Sequence, residues 1–167
     1  MRTIQIFIAC IVCGIIVVPA VHADELKTTV SVASAIIYPT LFDGKAMPPT
    51  MIHSVAALVP VSYRWNMVLK GAMATPITVF QPAPQIQVGA AAKLADHLTL
   101  GATGLYRYIP QRSGMTGDSH LVGVVLGPSI PLPSKIALGF STGITRNLTT
   151  KANGFFFGFE LAFLLPI

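Results

Sequence analysis

Apolar residues alternate with small or polar residues along the C-terminal half of the chain. From residue 136, the alternation places Ile136, Leu138 and Phe140 on one face of a strand. Ala137 and Gly139 fall on the other face, which is mostly Gly, Ala, Ser and Thr rather than charged. A soluble sandwich would carry charges on its solvent face, whereas small side chains suit the confined interior of a barrel. The pattern therefore predicts strands that enclose a narrow lumen.

The stretch 90–108, AAAKLADHLTLGATGLYRY, fits two different local structures. Ala91 and Ala95 are four residues apart, which is the spacing of a helix face. Strand-like alternation nevertheless extends on both sides of 95–97, and Asp96 favours a tight turn. The sequence therefore favours a β-hairpin over a helix followed by a strand.

Eight predicted strands account for most of the chain after the N-terminus. Short turns alternate with longer loops between them, as in a barrel that crosses an outer membrane with its short turns on the periplasmic side. A helical membrane protein would need about 20 consecutive apolar residues for each span, and no later segment offers such a run free of Pro and Gly. The predicted strands are 26–38, 50–60, 65–74, 84–94, 98–109, 120–132, 136–147 and 154–166. The predicted short turns are 61–64, 95–97 and 133–135, and the predicted longer loops are 39–49, 75–83, 110–119 and 148–153.

The N-terminus has the layout of a secretory signal peptide at 1–23. A basic residue precedes a short apolar run, and a small-residue motif ending at Ala23 follows. We expect cleavage after Ala23 and an outer-membrane domain at 24–167, with a retained membrane anchor as the alternative. Cys10 and Cys13 both lie in this segment, so the mature chain would carry no thiol.

Composition favours a barrel in lipid over a soluble one. Charged residues make up 10% of the chain and hydrophobic residues 53%, and the mean hydropathy is +0.69. An ordinary soluble domain carries about 25% charged residues, so a lipid-facing surface explains this composition better. The net charge of +5 is spread thinly and forms no basic run. We therefore expect no nucleic-acid partner.

Three stretches carry a resemblance to a known class of protein: AAAKLADHLTLGATGLYRY, GPSIPLPSKIALGFSTGI and GFFFGFELAFLLPI. In these stretches the chain resembles the small eight-stranded outer-membrane β-barrel proteins of Gram-negative bacteria. The resemblance implies an all-β, antiparallel up-and-down transmembrane β-barrel in the bacterial outer membrane. It also implies outer-membrane lipid and the barrel-assembly machinery as partners. Barrels of this class usually end in an aromatic residue, whereas this sequence ends Leu164-Leu165-Pro166-Ile167.

Few charged residues fall inside the predicted barrel. Glu160 lies mid-strand on the inward face, and Lys70, Lys93 and Arg107 also point inward in the predicted register. A lone carboxylate in a narrow lumen would be costly unless it were paired. We therefore expect a lumen ion pair of Glu160 with Lys70 or Arg107, with Lys93 nearer the periplasmic mouth. A catalytic role for Glu160 is the less favoured alternative.

Aromatic residues fall toward both ends of the predicted strands. Two aromatic belts about one bilayer apart are expected for anchors at the membrane interfaces, and chance placement is the alternative. The predicted interface aromatics are Tyr38, Tyr106, Tyr108 and Phe155 near the long loops, and Trp65 and Phe163 near the short turns.

No catalytic or metal-binding pattern stands out in the sequence. His53 and His120 each adjoin a serine, and neighbouring side chains in a strand point to opposite faces. His97 lies in a predicted turn, no ligand pair shows a metal-site spacing, and we expect no cofactor.

The sequence favours an outer-membrane barrel with a structural or surface-interaction role. Its lumen would be closed by small side chains and the ion pair, because an eight-stranded barrel is barely wide enough to hold side chains. One alternative is a carrier or conduit for a small hydrophobic molecule. A lipid-modifying barrel enzyme is less favoured.

Overall fold

The protein forms a closed barrel of eight antiparallel strands in chain order, with β1 beside β8. The computed structural model describes residues 27–41, 47–78, 81–111, 117–133 and 135–166. Within these ranges, no helix is long and apolar enough to span a membrane. The predicted all-β, up-and-down barrel is confirmed, while the predicted signal peptide and its cleavage site lie outside the described residues. The strands are β1 (Thr29–Leu41), β2 (Thr50–Pro60), β3 (Trp65–Pro76), β4 (Ala83–Ala95), β5 (Leu98–Ile109), β6 (Ser119–Leu132), β7 (Ile136–Asn147) and β8 (Asn153–Pro166).

The connections distinguish the two ends of the barrel. Tight connections join β2 to β3, β4 to β5 and β6 to β7 at one end, termed the short-turn end. The connections from β1 to β2, β3 to β4, β5 to β6 and β7 to β8 lie at the opposite end, termed the long-loop end. The predicted alternation of short and long connections is therefore confirmed.

The first strand, β1, shows the largest difference between predicted and observed strand bounds. The predicted strand at 26–38 is found at Thr29–Leu41 and continues through Pro39. Beyond Ile37, β1 pairs with β8 and no longer with β2. The Pro39 carbonyl accepts from Met47 N at 3.0 Å, which shows that the polar side of Pro39 faces away from β8. The missing N–H of proline therefore costs the β1–β8 ladder no hydrogen bond.

The stretch that fitted both a helix and a hairpin is a hairpin. β4 ends at Ala95, Asp96 and His97 form the turn, and β5 begins at Leu98. The register shifts between Lys93 and Ala95, where a bulge lets the strands meet the tight turn. The helical interpretation is wrong because the apolar residues of this segment follow a period of two.

Side chains alternate between the lumen and the outer wall of the barrel. In β4, Gln85 and Gln87 expose 5% and 7% of their surface, whereas Ile86 and Val88 expose 53% and 48%. Large exposed apolar side chains occur on all eight strands. An apolar outer wall around a closed hydrogen-bond ladder is the arrangement that a bilayer requires, because lipid cannot satisfy free backbone groups.

Candidate functional site

A cavity lies in the lumen toward the short-turn end. Its volume is about 310 Å³, and it is termed the short-turn cavity. Hydroxyl and amide groups are frequent in its lining, so water is a suitable occupant. The polar lining residues include Ser31, Asn66, Gln87, Thr99, Thr103, Ser129 and Ser141.

An ion pair lies at the inner end of the short-turn cavity. Lys70 Nζ donates a hydrogen bond to the Glu160 carboxylate, and the two side chains expose 13% and 25% of their surface. β3 and β8 are separated by β1 and β2 in the barrel, so this contact crosses the lumen. The structure thus brings Glu160 to Lys70, one of the two partners expected from the sequence.

Arg107 is not a partner of Glu160, and the expectation that it could be one is wrong. Its Nε and Nη2 donate to Oε1 of Gln85 at 2.8 and 2.6 Å. Lys70, Gln87 and Leu105 share one cross-strand row, and Arg107 lies one inward position nearer the long-loop end. The strand register therefore keeps Arg107 away from the ion pair.

Lys93 also stays outside the lumen ion pair, at the short-turn end where the sequence placed it. Its Nζ lies 2.8 Å from Asp96 Oδ1 and 5.6 Å from the centre of the Tyr63 ring, at the short-turn end. The partners are three positions apart along the chain, so the turn itself brings them together. The hydrogen bond from Lys93 holds the pKa of the Asp96 carboxyl below its ordinary value.

A larger cavity lies toward the long-loop end. Its volume is about 410 Å³, and it is termed the long-loop cavity. Apolar side chains dominate the lining, and Arg107 is the one charged residue among the described residues that line it. The large apolar lining residues are Ile37, Leu41, Met47, Ile109, Leu121, Phe155 and Phe156.

A layer of inward-facing residues lies between the linings of the two cavities. Every strand contributes at least one position to this set, termed the middle layer, which lines neither cavity. Ala35 and Ile52 of this layer pack with Ile37 and Phe156 in one buried apolar cluster. The middle layer comprises Ala33, Ala35, Ile52, Ser54, Ala72, Gln85, Leu105, Gly123, Gly143 and Gly158.

Glycines of the middle layer make room for larger neighbours. A Cβ added at Gly143 would lie 2.7 Å from the Phe156 ring, and one at Gly158 would lie 2.6 Å from Ile37 Cγ2. Both distances are too short for a real contact between carbon atoms. Phe156 and Ile37 can therefore fill the floor of the long-loop cavity because β7 and β8 carry no side chain at these points.

Hydrogen bonds connect the bases of the long loops. Gln81 Nε2 donates to the Pro110 carbonyl at 2.7 Å, and Thr149 Oγ1 donates to the Asp118 carbonyl at 3.2 Å. The Asp118 carboxylate also accepts from Gln111 N at 2.7 Å. Hydrogen bonds from the Tyr108 hydroxyl and from Gln111 N hold the pKa of the Asp118 carboxyl below its ordinary value.

The aromatics expected at the interfaces lie near the ends of the strands. Tyr108 is half-buried, and its ring centre lies 5.7 Å from that of His120. The other five expose between 40% and 53% of their surface. Their role as interface anchors remains a prediction. Tyr38, Tyr106, Tyr108 and Phe155 lie toward the long-loop end, and Trp65 and Phe163 lie toward the short-turn end.

The outer wall carries a serine–histidine contact that inspection of the sequence missed. Ser34 Oγ lies 3.0 Å from His53 Nδ1, because the register of β1 and β2 places these residues opposite each other. The hydrogen bond satisfies two polar groups on an exposed, otherwise apolar wall. Nucleophilic catalysis also needs a group that orients the histidine, and His53 has no carboxylate partner within the described ranges. Cross-strand register was the missing signal.

Comparisons with solved structures agree with this architecture. The structure of Ail, the attachment invasion locus protein of Yersinia pestis, superposes with a TM-score of 0.54 at 9% identity, over 84% of this chain and 99% of that chain. Neisserial surface protein A gives 0.51 at 12% identity, over 81% and 96%. A de novo designed transmembrane β-barrel gives 0.51 at 13% identity, over 82% and 95%. No protein-family model matches the sequence, and no curated protein is found as a relative. The chain therefore has the fold of the small eight-stranded transmembrane β-barrels, and these low identities show the fold alone.

Proposed function

We propose that the protein is an outer-membrane barrel that presents its long loops for interactions at the cell surface and whose lumen is closed to solutes. The observation that carries this proposal is the middle layer, which lies between the two cavities on every strand. The Lys70–Glu160 pair crosses the lumen beside this layer and supports the closure. An interior of this size is readily filled by side chains.

The outer wall and the N-terminus support the outer-membrane location. Val55, Phe159 and Ile144 expose 55%, 61% and 61% of their surface, which water would not favour but lipid would. The predicted signal peptide would export the chain. The names of the structural neighbours describe a surface protein and an attachment protein, and we extend that role to this chain by proposal.

The hydrogen bonds at the long-loop end support a role in surface interaction. They join the β3–β4, β5–β6 and β7–β8 connections at their bases through Gln81, Asp118 and Thr149. Loops fixed at their bases bind with a smaller entropic cost than loops that must be ordered on binding. The partner would therefore meet a preorganised surface.

Labelling of single cysteines in intact cells tests both the location and the orientation. The predicted mature chain contains no cysteine, so Thr150→Cys at the long-loop end and His97→Cys at the short-turn end each give a unique thiol. Both positions are exposed. A membrane-impermeant maleimide should label Thr150→Cys in intact cells. It should label His97→Cys only after the outer membrane is permeabilised.

The controls are the cysteine-free parent and a gel of boiled and unboiled outer-membrane fractions. A folded barrel should migrate differently before and after boiling. Labelling of His97→Cys in intact cells, with Thr150→Cys protected, would reverse the proposed orientation. Recovery of the protein in the periplasmic fraction would contradict the proposed location.

A further inference from the structure

Arg107 is a cation in an apolar cavity and has no anionic partner among the residues that the structure describes. A guanidinium stays protonated in proteins, and the Arg107 donors that have partners bind the neutral amide oxygen of Gln85. The ion pairs among the described residues use Lys70 and Lys93 instead. No acidic residue appears among the described residues that line the long-loop cavity. Arg107 is half-buried, and a charge withdrawn from water without a counter-ion is unfavourable, so this position is suited to an anion from outside.

Gln85 holds the Arg107 guanidinium in place. Its Oε1 accepts both hydrogen bonds from Arg107, and this fixes which end of the amide carries the nitrogen. Its Nε2 is buried and has no hydrogen-bond partner within the described ranges. A buried donor without a partner is uncommon in native proteins. Gln85 lines neither cavity, so an acceptor in the long-loop cavity would meet the Arg107 guanidinium rather than this amide.

The cavity around Arg107 has the size and lining of a ligand site. Its volume is about 410 Å³, and pockets for small molecules measure about 300–1,000 Å³. Ile37 and Phe156 form its apolar floor. Thr78 and Thr150 lie on its loop side, so a ligand would enter from the long-loop end.

We infer that the long-loop cavity binds a small amphiphile with one carboxylate and an alkyl chain, with Arg107 as its counter-ion. A neutral hydrophobic molecule would leave the guanidinium without an anion, and an inorganic anion would leave the apolar lining of the cavity in contact with water. The planar guanidinium matches a carboxylate, which gives the stronger, charge-assisted type of hydrogen bond. The alkyl chain would lie against Ile109, Leu121 and Phe156. This inference goes beyond the proposed function, because a closed lumen needs no ligand.

Binding of decanoate to the full barrel in phospholipid nanodiscs tests the inference. The measurement is saturable binding of radiolabelled decanoate at neutral pH, after subtraction of the signal from empty nanodiscs, with decanol as the uncharged comparison. Wild type should bind decanoate at least about ten-fold more tightly than decanol, because a hydrogen bond to a charged group is worth about one such factor or more. Arg107→Gln should lose about the same factor for decanoate and leave decanol unchanged. The affinity of Arg107→Lys for decanoate should lie between those of wild type and Arg107→Gln, because lysine keeps the positive charge but lacks the planar set of N–H donors.

Arg146→Gln is the matched control. Arg146 belongs to β7, is exposed on the outer wall and lies at the same end of the barrel, so its loss changes the net charge without changing the cavity. It should bind decanoate as wild type does. Each variant is checked for folding by its shift on boiling.

Three results would overturn the inference. One is the absence of saturable decanoate binding to wild type above that of empty nanodiscs. Another is equal affinity of wild type for decanoate and decanol, a comparison that does not depend on the folding of any variant. The third is an Arg107→Gln variant that binds decanoate as tightly as wild type. None of these results bears on the closed lumen or on the orientation of the loops, so the two proposals fail separately.

Discussion

At the scale of single residues, the ion pair of Lys70 and Glu160 stabilises the inner lumen. The partners are 90 positions apart in the sequence and are both largely buried. We predict that Lys70→Ala lowers the free energy of unfolding by about 3–5 kcal/mol, because it leaves a buried carboxylate without its partner. The partial exposure of both side chains should place the loss near the lower value. Urea unfolding in lipid vesicles, followed by the fluorescence of Trp65, the single tryptophan of the chain, measures it.

The double variant Lys70→Met/Glu160→Leu is the matched control for that prediction. It removes both charges and fills the space with apolar side chains, a replacement that is often neutral for stability. It should unfold at nearly the wild-type urea concentration. A Lys70→Ala variant as stable as wild type would show that the pair contributes nothing.

At the scale of the strands, the close approach at Gly143 tests how the middle layer is packed. A Cβ there would lie 2.4 Å from Val124 O and 2.7 Å from the Phe156 ring, whereas a Cβ at Gly71 meets nothing within 4 Å. Gly143→Ala should therefore cost about 1–3 kcal/mol through overpacking, and Gly71→Ala should not destabilise the barrel. The temperature at which the folded band disappears from an unboiled gel compares the two variants. Equal temperatures would mean that Phe156 does not pack against Gly143.

The strands were largely predictable from the sequence, whereas the contacts between them were not. Small residues on the lumen face make the period of two visible, and that is why the hairpin around Asp96 was recognised. Pro39 suggested that the first strand ends before it. The strand continues because Pro39 pairs with β8 and not with β2, and the sequence does not show which neighbour a residue pairs with. The pairing of Glu160 with a cation was predictable because few charged residues face the lumen and a lone carboxylate there would be costly. The Arg107–Gln85 and Ser34–His53 contacts required the cross-strand register, which the sequence pattern does not specify.

At the scale of the whole molecule, one closed ladder carries an apolar outer wall and a divided interior. The wall suits lipid, the middle layer lies between the linings of two cavities, and the long-loop cavity faces the end with the larger connections. These features together support the proposal of a barrel that works at its surface rather than as a pore. The central claim of this account is the closed lumen.

Electrical recording in a planar bilayer tests that claim most directly. Purified wild-type barrel should insert without stepwise conductance, because the proposed closure at the middle layer would block the passage of ions. Ile52→Ala/Phe156→Ala, which removes two large side chains from the apolar cluster at this level, should give discrete conductance steps. Stable, ohmic conductance steps from the wild-type protein would contradict the account.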